Sequence, residues 1–312
     1  MKWSALMKKI YLLINTILLV AITVLVVSCK TRDQVVILYY SDPQAMYLIP
    51  VSTTIKTSAD LENVSKAKHI IPLFEELMVS RDEKNLHSCI PKGIKFKDIE
   101  IKPENKEIDL TLDTEKQRLG DTDEQMMVGA IVNTLTELNG FTTVKINPGN
   151  LQTDMDYSEP ITRESWRNLW YLEDELNEKN TLAFVYWLSK DRKYFVPLTI
   201  PIPKNDVTTL LKVLKNGPQG SRKTYLERSI NPALDIIIKA SNMNHIDIEL
   251  KSKQDLAKSV YEEAKTAVLL TISELNVFET VKFISPFISE EIIDLKKFNP
   301  KKEINRVEFF AK

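Results

Sequence analysis

Histidine and cysteine are the first side chains to examine for chemistry in this 312-residue sequence. His87 and Cys89 lie two residues apart, and a cysteine beside a histidine can form an activated nucleophile. However, Cys89 has no counterpart in the second copy of the internal repeat described below. A small buried cysteine is therefore the favoured interpretation, with a nucleophile as the alternative. The sequence predicts no catalytic residue here.

Metal and nucleotide sites also lack their usual patterns. The three histidines, His69, His87 and His245, show no spacing with carboxylates that is typical of zinc ligands. Asp121-Thr122-Asp123 lacks the glycine and closing glutamate of a calcium loop, and it favours a capped helix start. Gly217-Pro218-Gln219-Gly220 is not followed by the Lys-Ser/Thr of a phosphate-binding loop. We therefore expect no metal, no cofactor and no bound nucleotide.

Two aspartates occupy the centre of matching apolar triplets, Ile108-Asp109-Leu110 and Ile246-Asp247-Ile248. In a strand with two different faces, the middle residue of such a triplet points away from the apolar side. We expect exposed acids on sheet faces, and a shared binding edge is the alternative.

The N-terminus indicates a covalent modification, lipid attachment. Three lysines among the first nine residues precede an apolar stretch over residues 10–27, which ends at Ser28-Cys29. This order is typical of a secretory signal peptide. The cysteine at its end resembles the bacterial lipobox, although Val26 stands where most lipoboxes have leucine. We predict that residues 1–28 are removed and that lipid on Cys29 holds the chain at the outer face of the cell membrane. An uncleaved transmembrane anchor is the alternative, since about 20 apolar residues cross a bilayer.

Composition limits the classes of protein that this sequence can represent. The chain has 42 basic and 43 acidic residues, whereas a nucleic-acid-binding protein would need a basic excess. About 280 residues remain after the predicted signal peptide, which suggests two domains. If Cys29 carries lipid, Cys89 has no partner for an intramolecular disulfide, so hydrophobic cores must supply the stability.

An internal repeat organises the chain. Residues 136–146 and 273–283 are identical at seven of eleven positions. Upstream, the two aspartate triplets correspond in the same order, and Tyr39-Tyr40 corresponds to Tyr186-Trp187. The sequence therefore predicts two homologous domains in tandem.

The periodicity within each copy predicts an α+β domain. Alternating apolar runs predict strands and apolar residues at helical spacing predict helices. The predicted strands are 35–40, 94–101, 108–112 and 142–146 with helices at 72–79 and from 121, and the second copy has a long helix near 255–275 and a last strand near 280–284. We expect each domain to pack helices on one face of a small mixed or antiparallel sheet.

The remaining segments complete the predicted organisation. Residues 151–180 contain an apparent helix in which Trp166, Leu169, Trp170 and Leu176 share a face, either an interdomain helix or a partner-binding helix. Arg306 to Phe310 could add an edge strand. The predicted divisions are a signal peptide (1–28), a tether (29–34), a first domain (35–150), a helical linker (151–180), a second domain (181–286) and a tail (287–312).

Three motifs carry a family resemblance. They are Ser88-Cys89-Ile90-Pro91-Lys92-Gly93, the helix end Asn133-Thr134-Leu135-Thr136-Glu137 and, in the second copy, Leu214-Lys215-Asn216-Gly217-Pro218. Together with the repeat, they resemble the GerM (Germane) domain of sporulation and spore-germination lipoproteins. The first copy departs from the pattern at Ser80-Arg81-Asp82, where Gly-Pro is expected, and the second lacks the glycine after Ser229-Ile230-Asn231-Pro232.

The resemblance implies a function without catalysis. Germane domains resemble the ring-building modules of secretion assemblies, and their arrangement is tandem copies behind a lipobox. The expectation is an extracytoplasmic lipoprotein that acts through protein–protein contacts with envelope partners. The alternative is a cell-wall or small-ligand binding protein with a cleft between its domains, lined by Tyr39, Tyr40, Trp170 and Trp187. Aromatic residues packed inside the domains would favour the first function, and aromatic residues in an open cleft the second.

Overall fold

The computed structural model describes residues 32–57, 61, 69–116, 118–163, 180–204 and 206–306. The predicted signal peptide, Cys29, the predicted linker tryptophans Trp166 and Trp170 and residues 307–312 lie outside this part of the chain. Within it, no helix is long and apolar enough to cross a membrane.

The first domain combines a hairpin, a four-stranded sheet and two helices. Its elements are β1 (Arg32–Ser41), β2 (Leu48–Thr57), α1 (Ile71–Leu77), β3 (Ile94–Lys102), β4 (Glu107–Thr114), α2 (Asp121–Leu135), β5 (Thr143–Asn147) and β6 (Ile161–Thr162). Strands β1 and β2 pair antiparallel, and the second sheet has the order β3-β4-β5-β6. Strands β4 and β5 run parallel because α2 forms the crossover between them.

The second domain repeats this order with one additional short strand. Its elements are β7 (Thr181–Ser189), β8 (Phe195–Ile202), α3 (Val207–Asn216), β9 (Leu226–Glu227), β10 (Leu234–Ser241), β11 (His245–Ser252), α4 (Lys258–Ser273), β12 (Thr280–Ser285) and β13 (Ile288–Asp294). The sheets have the orders β8-β7-β9 and β10-β11-β12-β13, again with a parallel pair, β11 and β12, joined through a helix. The structure thus confirms the α+β class and the tandem arrangement.

One continuous hydrophobic core extends through both domains. The long helices supply much of it. In α2, the apolar side chains predicted at helical spacing, Val128, Ile131, Val132 and Leu135, are fully buried. Strands β4 and β11 bury alternate residues, as expected for sheets with one face on a core.

Three details differ from the sequence expectation. Each domain separates its first hairpin from the four-stranded sheet, whereas a single small sheet was expected. The residue before α2 is Gly120, which makes no side-chain capping bond, so Asp121 and Asp123 contribute only negative charge to the first turn. In the second domain, β13 forms one edge of the four-stranded sheet. The edge strand predicted at Arg306 to Phe310 lies almost entirely outside the described residues.

Candidate functional site at the interdomain axis

The aromatic residues proposed as cleft residues are interior. Tyr39, Tyr40 and Trp187 are at most 2% exposed, and Trp170 lies outside the described residues. The Tyr40 hydroxyl donates to the carbonyl of Glu76 at 3.0 Å. These side chains therefore serve the packing of their own domains.

Cys89 and His87 do not form a nucleophile–base pair. Cys89 is buried in a small apolar cluster with Ile37, Tyr39 and Leu48, among others. Burial raises the pKa of its thiol to about 12, so the thiol remains protonated at neutral pH. The His87 ring is substantially exposed, with its Nε2 atom 3.4 Å from Asp82. The buried-cysteine interpretation is the one that the geometry supports.

Asp109 and Asp247 lie at equivalent places on two separate sheets. Asp109 pairs with Lys102, and Asp247 accepts a contact of 2.6 Å from Nε2 of His245. Each aspartate also stands opposite a lysine in the parallel register of its sheet. They therefore share a position in the fold but not a common edge.

No part of the described chain gathers three or more histidine, cysteine, aspartate or glutamate side chains into a group that could hold a metal ion. His245 instead bridges two neighbours, since its Nδ1 atom lies 2.6 Å from the Thr280 hydroxyl. His69 and His87 lie in different segments from it and outside its sheet.

A repeated tyrosine–glutamate contact joins the first strand of each domain to its long helix. The hydroxyl of Tyr39 in β1 donates to Glu137, just after α2, at 2.9 Å. In the second domain, the hydroxyl of Tyr186 in β7 donates to Glu274, just after α4, at 2.7 Å. The two contacts occupy the same places in the two copies, so the structure repeats them as it repeats the sequence.

A threonine reinforces each of these contacts one helical turn earlier. The backbone N–H of Tyr39 donates to Oγ1 of Thr134 at 3.1 Å, and that of Tyr186 donates to Oγ1 of Thr271 at 3.2 Å. Each hydroxyl satisfies a strand N–H that would otherwise be buried without a partner. Strand and helix are thereby held at a fixed separation.

Two cations complete the site, which we call the interdomain cluster: Tyr39, Glu137, Arg163, Tyr186, Glu274 and Lys301. Arg163 follows β6, contacts Glu137 and donates to the hydroxyl of Tyr39. Lys301 follows β13, and its Nζ atom lies 2.9 Å from Glu137 and 3.1 Å from Glu274. Two carboxylates and two cations therefore balance in charge, and Lys301 connects the domains directly.

The electrostatics fix the protonation states of the cluster. Burial by itself would raise the pKa of Glu137, but Arg163 and Lys301 outweigh it and lower this pKa to about 2. The pKa of Glu274 is also lowered, because the attraction of Lys301 and, to a smaller extent, of Arg163 outweighs the effect of burial. Burial and the nearby carboxylates raise the pKa values of Tyr39 and Tyr186. At neutral pH the carboxylates are thus charged acceptors and the tyrosines neutral donors.

Residues 299–306, which we call the clasp, lie against β2 and β8, one strand from each domain. The side-chain amide of Asn305 donates to the carbonyls of Pro50 and Phe195 at 2.7 and 2.8 Å, and its oxygen accepts from the Phe195 N–H at 2.8 Å. The hydroxyl of Ser52 donates to the carbonyl of Lys302 at 2.7 Å. The clasp therefore binds both domains while it delivers Lys301 to the cluster.

A cavity of about 560 Å³, the interdomain cleft, opens over the cluster. The charged side chains of Glu137, Glu274 and Lys301 form part of its lining, and Phe278 and Phe298 are its aromatic residues. Polar groups beside aromatic rings can orient a small polar ligand. The described residues that line it include neither cysteine nor histidine, the usual nucleophile and base.

Sequence reasoning identified four members of the cluster for other reasons and missed their assembly. Glu137 and Glu274 belonged to the repeat, and Tyr39 and Tyr186 were aligned with each other. A tyrosine and a glutamate that both recur at matching positions are the signal that could have paired them. Arg163 and Lys301 left no such signal because they lie outside the repeated segments.

The chain is similar to known proteins in sequence and in fold. The family model named Germane, described as sporulation and spore germination, matches residues 37–150. The tandem GerMN domains of the sporulation protein GerM from Bacillus subtilis are 18% identical, with a TM-score of 0.58 over 82% of this chain and 92% of that one. A predicted lipoprotein from Clostridium perfringens is 19% identical over 43% of this chain and 89% of its own; its TM-score of 0.28 supports no argument. No curated protein matches the chain.

The family match covers the first domain, and the structural likeness covers both domains in tandem. The likeness to GerM, at 18% identity, bears on the fold alone. We conclude that residues 37–150 match the Germane model of sporulation and spore germination, that an internal copy of this segment follows it, and that the described chain has the fold of tandem GerMN domains.

Proposed function

We propose that this protein is a non-catalytic, extracytoplasmic lipoprotein that acts through protein–protein contacts in the envelope assembly of sporulation or germination. The Germane match supports the biological setting. The signal-like N-terminus and Cys29 support export and a lipid anchor.

The burial of the aromatic residues is the observation that carries the protein-contact function. Tyr39, Tyr40 and Trp187 are packed inside their domains, whereas a glycan- or peptide-binding cleft would present such rings to a ligand. The interdomain cluster and the clasp support the same function, because they hold two domains in one fixed arrangement. A fixed arrangement presents surfaces of both domains to a partner at the same time.

Crosslinking in intact cells tests this function. The native anchored protein is crosslinked, captured through an affinity tag and analysed by mass spectrometry. We expect one or two envelope proteins at a near-constant ratio to the bait. A matched sample with the clasp variant Asn305→Ala, which loosens the domain arrangement, should recover less of them. Recovery of cell-wall fragments without any protein at constant ratio would contradict the proposal.

The lipid anchor requires its own experiment. Metabolic labelling with an alkyne fatty acid should label the wild-type protein in the membrane fraction. The variant Cys29→Ser should lose the label, and Cys89→Ser should retain it because that thiol is buried. Equal labelling of the Cys29→Ser variant would disprove attachment at Cys29.

The interdomain cleft favours one second candidate, the binding of a cell-wall fragment or another small ligand. Its volume of about 560 Å³ and its mixture of charged and aromatic lining residues suit a ligand of that size. Calorimetric titration with purified muropeptides distinguishes the two functions. Binding that disappears in Phe298→Ala but persists in the control Phe287→Ala, whose ring is outside the cleft, would favour this candidate.

A further inference from the structure

A second cavity, of about 610 Å³, lies wholly within the second domain. It is formed by the turn between β7 and β8, the turns that follow α3 and β9, and the first residues of α4. Four cationic side chains are among its lining residues: Lys190, Arg192, Lys223 and Arg228. We call this cavity the basic pocket.

Two of the four cations are already neutralised. Lys190 forms an ion pair with Glu227, and Arg192 with Glu263 at 2.6 Å. Lys223 and Arg228 are exposed, and neither forms an ion pair with an acidic residue in the described part of the chain. The pocket therefore retains two positive charges for a ligand.

Gly217 determines the place of Arg228. Its φ is +72°, a conformation that favours glycine, and a Cβ atom there would lie 2.4 Å from Cγ of Arg228. The absence of that Cβ lets the aliphatic part of the arginine pack directly on the backbone. Arg228 therefore lines the pocket with its aliphatic stem against Gly217 and without an ion-pair partner among the described residues.

The pocket has an apolar base beneath the charges. Leu226 and Ile230 are buried below it, and Val260, Pro218 and Pro232 complete its apolar lining. A ligand with charge alone would leave Val260 and Pro232, the accessible apolar residues of this lining, in contact with water. A ligand that combines an acidic group with a neighbouring apolar group would use both parts.

In the described part of the first domain, no cation takes the place of Arg228. Ile90 and Ile230 both precede the first strand of the larger sheet, so Ser88 occupies the place of Arg228. The Ser88 hydroxyl donates to the carbonyl of Leu77 at 2.6 Å and is satisfied within the domain. The wider segments also differ in charge: residues 189–232 contain nine basic and three acidic residues, and residues 41–91 contain five and seven.

We propose that the basic pocket binds an acidic segment of a protein partner, with a carboxylate on Arg228 and Lys223 and an adjacent apolar side chain over Val260 and Pro232. Arginine matches a carboxylate through two parallel hydrogen bonds. The apolar base favours a peptide over a phosphodiester polymer, which would contact the cations alone. This inference rests on the proposed protein-contact function and adds the chemistry of the partner.

Fluorescence anisotropy on the purified full chain in detergent tests the pocket directly. The ligand is a labelled dodecapeptide of alternating glutamate and leucine. We expect binding that weakens at least tenfold in Arg228→Glu and in Lys223→Glu. The control Lys193→Glu makes the same charge change in the adjacent turn but outside the pocket, and it should change the affinity less than twofold.

Two further measurements keep the result interpretable. Thermal unfolding of each variant should remain within a few degrees of wild type, because the substituted side chains are exposed, and Arg228→Lys should restore part of the affinity. Equal binding by wild type and Arg228→Glu would overturn the pocket, as would binding of polyphosphate without binding of the dodecapeptide. In cells, wild-type recovery of crosslinked partners by Arg228→Glu would overturn the pocket yet leave the protein-contact function intact. Failure of the function itself would instead appear as no partner even with wild type.

Discussion

The two domains share their interior contacts and differ at the surface near their hairpin turns. Tyrosine, threonine and glutamate recur at the junction of strand and long helix in both domains, with matching partners and distances. At the surface, just before the larger sheet begins, Ser88 in the first domain corresponds to Arg228 in the second. The comparison indicates that the shared groups hold strand to helix within each domain and place the two glutamates where Lys301 contacts both. The unshared groups are where a binding preference can arise.

The shared interior is itself not fully symmetric. Glu137 contacts both cations of the interdomain cluster, whereas Glu274 has only Lys301 within ion-pair distance among the described residues. Loss of the Glu137 charge should therefore destabilise the protein more than loss of the Glu274 charge. Substitutions of these two glutamates have the largest expected effects.

Neutralising Glu137 should be the most damaging single change. In Glu137→Gln, Arg163 loses its carboxylate partner while it remains largely buried, and breaking a buried pair in this way costs about 3–5 kcal/mol. Glu274→Gln should cost about 1–3 kcal/mol, because Lys301 keeps Glu137. Urea unfolding followed by tryptophan fluorescence measures both, with the exposed Glu104→Gln as control. Equal losses of unfolding free energy in the two variants would contradict the expected asymmetry between Glu137 and Glu274.

Acid should weaken the fold through the same carboxylates. The pKa of Glu137 is about 2 in the folded protein and 4.5 in the reference state, so folding favours its ionised form. Its contribution, on the order of 3 kcal/mol, is present above pH 4.5 and is lost as the pH falls towards 2. Urea midpoints measured between pH 7 and 2.5 should decline mainly below pH 4.5. In Glu137→Gln this decline should be smaller, and an unchanged decline would assign the acid sensitivity elsewhere.

The threonines test the symmetry itself. Thr134→Val and Thr271→Val keep the side-chain shape but remove the acceptor of a buried strand N–H, at a cost of about 1–3 kcal/mol each. Because the two distances differ by only 0.1 Å, the two losses of unfolding free energy should agree closely. A large difference between them would show that the two strand–helix junctions are not energetically equivalent.

The smallest expected effect concerns Gly217, which lies beside Arg228 at the surface where the two domains differ. Gly217→Ala should cost about 1 kcal/mol, since the backbone has a positive φ and the new methyl group meets the stem of Arg228. It should also weaken binding of the acidic dodecapeptide, because the guanidinium moves. The control Gly140→Ala has a similar φ of +91° but open space around it, so it should lose stability without losing binding.

The sequence predicted the elements well where one helix or strand has a clear apolar period. The spacing of Val128, Ile131 and Leu135 was sufficient for α2, and the alternation around Asp109 for β4. The separation of the hairpin from the larger sheet was not predictable, because no local pattern reports which strands pair at a distance.

The candidate site was harder to predict for a related reason. Arg163 and Lys301 are charged residues in unrepeated segments, and charged residues are usually exposed. Only the three-dimensional arrangement shows that Arg163 reaches Glu137 and that Lys301 reaches both Glu137 and Glu274. The basic pocket was equally hidden, because the contact of Gly217 with Arg228 joins residues that are eleven positions apart and share no motif.

The clasp has a consequence for the order of biosynthesis. Lys301 and Asn305 follow both domains in the chain, so each domain is synthesised before the segment that joins them. During synthesis Glu137 and Glu274 are therefore both present before the lysine that links them. The ionic link between the domains can form only in a late folding step, after residue 301 has been added.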